Sequence, residues 1–226
     1  MLTVVATPIG NLGDITLRAI ESLKAADLVA AEDTRRTGLL LVHLGIKKPL
    51  ISFHEHNEAR RTEELLGRLQ SGESVALVTD AGTPSISDPG QRLIRACAAA
   101  AIPMTVLPGA SSAITALVGS GFRTDTFYFA GFLPVKSGGR DREVAAAGHR
   151  PETTIFFESP HRLCKTLESF ARQFPGRRLC VARELTKIHE EYRRGAAVEL
   201  LAHYTAKPPK GEICLVVEGA GEAGRP

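Results

Sequence analysis

An α/β architecture in two units is what this sequence predicts, and three observations carry it. Short apolar runs of strand length alternate with amphipathic stretches through the first half, the pattern of a mostly parallel sheet covered on both faces. Around Gly119 to Asp125 the alternation changes character and a second α/β unit begins. The composition suits both units: 43% hydrophobic and 23% charged residues over 226 positions, with 21 Gly and 13 Pro, exclude disorder, collagen and coiled coil. The expected domains are 1–120 and 121–226.

The elements follow in order. Leu2 to Ala6 reads as a strand, and Asp14 or Thr16 caps a helix whose apolar face is Ile15, Ala19, Ile20 and Leu23. Leu28 to Ala31 is the next strand, followed by a helix over Thr34 to Leu44. Leu50 to Phe53 is the third strand. The helix from Glu58 to Gln70 turns Leu65, Leu66 and Leu69 inward. Ser74 to Thr79 is a buried strand, Gly90 to Ala101 a helix, Met104 to Leu107 the fifth strand and Ser111 to Val118 the last helix of the half. Beyond the boundary, Thr126 to Phe132 is an aromatic strand. Gly138 to Gly148 is a basic, Gly-containing stretch expected to be partly mobile. Strands at Thr154–Phe157, Leu179–Arg183 and Glu212–Val217 enclose helices at His161–Gln173 and Ala196–Tyr204, and a frayed tail is expected over Gly219 to Pro226.

Several function classes are disfavoured by what is missing. Cys97, Cys164, Cys180 and Cys214 are scattered among apolar neighbours, which reads as four buried thiols; no two share zinc-ligand spacing. The apolar runs fall short of the ~18 residues of a membrane span, and no signal-peptide core opens the chain, so a cytoplasmic protein is expected. Residues 1–118 hold 11 Lys and Arg against 12 Asp and Glu; residues 119–226 hold 17 against 13. That positive bias in the second half permits an anionic partner such as RNA without demanding one.

Sheets of this class bind ligands outside the carboxyl ends of their strands. The segments there are T-P-I-G-N-L-G-D (Thr7–Asp14), E-D-T-R (Glu32–Arg35), D-A-G-T-P-S-I-S-D-P-G (Asp80–Gly90) and P-G-A-S-S (Pro108–Ser112). Gly and Pro let the backbone turn tightly and approach a ligand, while Ser and Thr supply hydroxyls and caps. Four such loops on one edge weigh far more than one. No G-x-x-x-x-G-K-S/T is present, and the G-x-G-x-x-G of Gly219, Gly221 and Gly224 has no following helix, so neither phosphate-binding motif applies. His54 and His56 form an H-E-H triplet with no third ligand, which favours capping or solvent contact over a metal. Ser159 fits a helix cap better than a nucleophile. The charged cluster of Arg183, Glu184, Lys187, Glu190, Glu191, Arg193 and Arg194 reads equally as a surface ion-pair lattice or a substrate-facing group.

Taken together the loops resemble the tetrapyrrole methylase superfamily, and within it the branch of 16S ribosomal RNA cytidine ribose 2′-O-methyltransferases. The matching stretches are the four loops above with A-E-D-T-R-R-T and, later, G-F-L-P, F-F-E-S-P-H-R, R-E-L-T-K-I-H-E-E and K-G-E-I, in order along nearly the whole chain. The resemblance implies two α/β domains, with a mostly parallel sheet in the first and a mixed one in the second. It implies S-adenosylmethionine in a cleft they share, a homodimer, and neither metal, membrane nor DNA. By motif, cofactor contacts fall to Pro8, Ile9, Gly10, Asp80, Thr83, Ser111, Ser112, Phe157, Leu185 and Gly211. The implied substrate is the ribose of a cytidine in the decoding region of the small-subunit RNA, cytidine 1402 in the family. Substrate-side signatures place Glu32, Asp33, Arg35 and Glu158 near the reacting hydroxyl, with one carboxylate as its base. Arg36, His161, Arg162 and Lys187 would hold RNA. Members of the branch commonly continue into a small helical domain beyond the point where this sequence stops, a departure that bears on RNA affinity. The alternatives are a small-molecule methyltransferase of tetrapyrrole type and an RNA-binding or assembly factor without catalysis.

Overall fold

Three largely apolar segments, L-T-V-V, L-V-A-A and V-A-L-V, are too short for helices and lack the polar alternation of a sheet with one wet face. They form β1 (Leu2–Val5), β2 (Leu28–Ala31) and β4 (Val75–Val78), each buried along its whole length. The computed structural model describes residues 1–221. With the edge strands β3 (Leu50–Ser52) and β5 (Met104–Leu107) they make a five-stranded parallel sheet of order β3-β2-β4-β1-β5. Alternate residues of the central strands feed two cores. Leu2, Val4, Ala30 and Leu77 meet Leu65 and Leu69 of α3 (Glu58–Gln70) and Leu93 and Cys97 of α4 (Gln91–Ala99). Val5, Val29, Ala76 and Val78 meet Ala19 and Leu23 of α1 (Leu17–Ala25) and Leu41 of α2 (Thr34–His43). Of the two capping residues the sequence offers α1, Thr16 is the one used: its hydroxyl accepts from the Ala19 amide at 3.1 Å.

The chain divides into two compact units, Met1–Ser111 and Ser112 onward. The division falls at the start of α5 (Ser112–Ser120) rather than at its end near residue 120, because α5 packs on the strands of the second unit. Those strands are β6 (Phe127–Phe132), β7 (Thr153–Glu158), β8 (Arg178–Arg183), β9 (Glu191–Ala196) and β10 (Ile213–Val217), in the order β6-β7-β10-β8-β9. Only β6 and β7 run parallel; the other neighbours are antiparallel, so the sheet is mixed. One core joins Phe156, Val181 and Leu215 of the sheet to α6 (Ser137–His149), α7 (Leu163–Gln173) and α8 (Ala197–Ala206).

Two expectations change here. The stretch 138–148, expected to be partly mobile, lies in a helix, α6, which buries Val144, Ala147 and Gly148 and is pinned to α7 by Asp141, partner to both Ser169 and Arg172. Gly148 is small because the Phe174 ring occupies the place of its missing side chain. The charged run Glu191–Ala196, read only as a cluster, is an edge strand paired along its whole length with β8. The thiols of Cys97, Cys180 and Cys214 are buried, with Cys164 half-buried and all four unpaired. No helix among the described residues is long and apolar enough to cross a membrane. Of the Gly219, Gly221 and Gly224 motif, Gly224 lies outside the described residues, as does most of the tail expected to fray.

Candidate active site

The loops at the carboxyl ends of the first sheet hold one another. Thr7 and Gly82 exchange both backbone hydrogen bonds, at 3.0 and 2.9 Å, and the Thr7 hydroxyl donates to the Thr79 carbonyl at 3.0 Å. The Thr83 hydroxyl donates to the Ala110 carbonyl at 3.2 Å, tying the loop after β4 to the loop after β5. Gly82 has a φ of +81°, which suits glycine, with the Ile9 side chain at contact distance from where a Cβ would go. Gly109 leaves even less room, since a Cβ would come within 2.8 Å of the Ala6 methyl. Ser85 and Ser87, with φ of 71° and 64°, carry backbone strain in the same loop system. Ile9 is buried under this clamp, Pro8 half-buried, and Gly10 exposed.

Carboxylates gather beside it. The Asp80 amide donates to Glu32 Oε2 at 3.2 Å, the Asp33 amide donates to Asp80 Oδ1 at 3.1 Å, and Arg36 pairs with Asp80 Oδ2 at 3.3 Å. Asp33 caps α2, and the Arg35 guanidinium on its carboxylate at 2.6 Å, with the Arg35 amide, holds its pKa well below the usual carboxylate range. Asp88 goes the other way. Burial first, then the charges of Glu32 and Asp80, push it up to about 6. Sequence reasoning missed Asp88; its only signal is its place in the loop after β4, and the topology is what brings that loop to Glu32. Thr7, Pro8, Arg36, Thr37, Thr79 and Asp80 help line a cleft of about 220 Å³ at this edge, with Leu12, Leu39 and Leu40 as its apolar part. Thr79 is buried there, and its hydroxyl has no hydrogen-bond partner among the described residues.

In the second unit the expected residues are more dispersed in role. Phe157 stacks edge-on with Phe129 and Phe132, at 5.0 and 5.4 Å between ring centres. The Glu158 side chain is 1% exposed; it accepts from the Ser159 amide at 2.7 Å and the Thr166 hydroxyl at 2.5 Å, and pairs with Arg162 at 2.9 Å. Arg162 also donates to the Leu133 carbonyl, so both charges serve the start of α7. His161 is exposed, its amide donating to the Ser159 hydroxyl at 3.3 Å in the turn before the helix. Lys187 bridges Glu184 and Glu212 at 2.9 and 2.8 Å. Leu185 is buried next to them, and Gly211 has φ +86° with the Glu184 carboxylate where a side chain would go. Ser111 and Ser112 are half-buried where the two units meet in sequence, the Ser112 carbonyl 3.7 Å from the Cys214 sulfur. His54, in the turn before α3, has a ring nitrogen 3.0 Å from the Asn57 side-chain amide.

An orphaned buried hydroxyl, a carboxylate and an apolar wall at a strand-end cleft suit a ligand that is part polar and part hydrocarbon. Comparison with known proteins agrees with the fold. Residues 1–201 match the model of the Tetrapyrrole (Corrin/Porphyrin) Methylases. The chain is 51% identical to the ribosomal RNA small subunit methyltransferase I of Synechocystis sp., over 100% of its own length and 81% of the relative's. To the Escherichia coli protein of the same name it is 50% identical, covering 96% of this chain and 77% of that one. Among solved structures, uroporphyrin-III-C-methyltransferase from Thermus thermophilus superposes with a TM-score of 0.67 at 24% identity, over 96% of this chain and 93% of that one. The chain belongs to the tetrapyrrole (corrin/porphyrin) methylase family, on the branch of the relatives called ribosomal RNA small subunit methyltransferase I.

Proposed function

We propose that the chain methylates the ribose 2′-hydroxyl of a cytidine in the 16S RNA of the small ribosomal subunit, with S-adenosylmethionine as donor. The observation that carries this reading is the clamped set of loops at the first sheet's edge, with carboxylates and an unpartnered buried threonine hydroxyl beside a half-apolar cleft. The names of relatives at about half identity supply the substrate class.

The donor brings a methyl on a sulfonium, already a good leaving group. This chain's task is then positioning, which accounts for a large share of rate in such reactions. Pro8, Ile9, Gly10, Asp80, Thr83 and Ser111 of the first unit would hold the donor, Thr79 giving it a further hydroxyl. Ser112, Phe157, Leu185 and Gly211 are the second unit's contributions. Glu32 is the base we assign: it lies on the loop edge and has no arginine partner among the described residues. Asp33 is engaged by Arg35 and kept a weak base. Glu158 has its partners inside its own unit and acts as a positioning residue. His161, Arg35 and Arg36 are exposed where phosphates could approach, the two arginines carrying their pairings to Asp33 and Asp80 with them. Lys187 and Arg162 reach phosphates only by leaving their carboxylates. The functional unit is a homodimer in the cytoplasm, and sedimentation should give about twice the 24.2 kDa chain mass.

The decisive experiment transfers labelled methyl from S-adenosylmethionine to unmodified small subunits and identifies the labelled nucleoside by mass. Label in 2′-O-methylcytidine is expected. Donor binding without label would favour the non-catalytic factor, and label on a porphyrin-like ring the small-molecule enzyme. Glu32→Gln should bind the donor as the parent does while transfer slows about 100-fold or more, in the range of a lost general base. Unchanged transfer would remove Glu32 from that role.

A further inference from the structure

The second unit carries a larger cavity, of about 440 Å³, that the reading above does not use. It lies among the end of β8, the start of β9, the last turn of α8 and the segment 207–210. Arg183, Lys207 and Lys210 bring three cations to its lining, with His189 and His203 beside them. The carboxylate there, Glu191, is already held by Arg183 at 3.0 Å and Arg193 at 2.8 Å. Lys207 and Lys210 are exposed and make no ion pair among the described residues. Arg183 is fixed for a ligand, since its other hydrogen bond, to the Lys210 carbonyl at 3.2 Å, ties the two sides of the cavity together.

A second, independent sign comes from Tyr204. It lines the cavity, is 2% exposed, and its hydroxyl has Arg193 nearby but no hydrogen bond of ordinary geometry among the described residues. A buried hydroxyl without a partner calls for an explanation, and a group entering the cavity supplies one. The negative carboxyl end of α8 opposes an anion here, but its partial charge is about half an elementary charge against the two lysines that Glu191 does not engage. The volume suits a ligand larger than a simple ion. Pro208 and Pro209, with the His203 ring edge-on to Tyr204 at 4.8 Å, give flat surfaces for a base.

We infer that this cavity binds a nucleotide of the RNA through its phosphate, as a docking site within the second unit and apart from the loops where methyl transfer occurs. The inference rests on reading the chain as an RNA methyltransferase. Arginine and lysine are the side chains that take phosphodiesters, the first as a fork and the second as a point charge.

The test uses the full chain and a fluorescent single-stranded RNA oligonucleotide of small-subunit sequence, with anisotropy followed over a salt series. The double variant Lys207→Gln/Lys210→Gln should raise Kd about tenfold at low salt and flatten the salt dependence by about one contact per lysine, with Tm unchanged. Tyr204→Phe should weaken binding about threefold without loss of stability, as expected for a hydroxyl that serves only the ligand. Calorimetric titration with cytidine 5′-monophosphate, cytidine and inorganic phosphate separates the possible sources. Binding of the nucleotide alone, abolished in the double variant, supports the site. Inorganic phosphate binding as tightly as the nucleotide would overturn it, and so would unchanged RNA affinity and salt slope in a double variant that still transfers methyl. If the parent protein neither binds the oligonucleotide nor methylates subunits, the reading beneath the inference fails, and the inference with it.

Discussion

Asp88 is the residue at which local chemistry and fold are most tightly coupled. Burial and the charges of Glu32 and Asp80 raise its carboxyl to about 6. Between about pH 4 and that value the native state keeps a proton that the unfolded chain has released. Its contribution to stability is therefore present in acid and is lost as pH rises through about 6. Asp88→Asn should be more stable than the parent by about 1–2 kcal/mol near pH 7, with the gap closing near pH 4. Urea midpoints at the two pH values check this, and an equal gap at both would mean the Asp88 charge does not feel its neighbours. Glu158 is the counter-example: a carboxylate in a signature stretch whose contacts serve the turn into α7. The two acids look alike in sequence because side-chain type does not encode which partners the fold will supply.

At the scale of the element, α4 has no cap of its own. Its N-cap position is Gly90, and the amides of Gly90 and Arg92 donate instead to Glu58 Oε1 of α3, at 3.0 and 3.2 Å. Glu58→Ala should cost about 1 kcal/mol, the usual worth of a lost cap, and speed hydrogen exchange at Gly90 and Arg92 above that of the helix interior. Exchange unchanged at both amides would show that the loop from Asp80 holds the helix end without it. The elements that sequence missed have equally physical causes. Strand β9 carries Glu191, Arg193 and Arg194 because it is an edge strand, with Glu191 paired to Arg193 and to Arg183 of β8, which resembles a solvated cluster on paper. Helix α6 contains Gly138, Gly139 and Gly148, which lower helix propensity locally. Packing on α7 outweighs that preference.

For the whole molecule, the position of α5 decides where one unit ends. Its buried residues Ala113, Ala116 and Leu117 lie in a helix that packs on β7, β8 and β10. A fragment ending at residue 111 should therefore fold cooperatively and stay monomeric. A fragment ending at residue 120 should expose that apolar face and self-associate, as light scattering at equal concentration would reveal. Equal behaviour of both fragments would mean α5 needs no sheet from the second unit. Much of this architecture is legible in the chain itself. Largely apolar four-residue runs dictate central parallel strands, because only a sheet covered on both faces buries every side chain. The glycine, proline and hydroxyl loops mark which edge binds, because few other residues let a backbone approach a ligand so closely. The tertiary structure alone decided which carboxylate is buried in ion pairs and which faces the cleft, that Asp88 joins Glu32 and Asp80, and that Tyr204 lines a cationic cavity. Those outcomes depend on contacts between residues far apart in the chain, and local pattern carries no record of such distances.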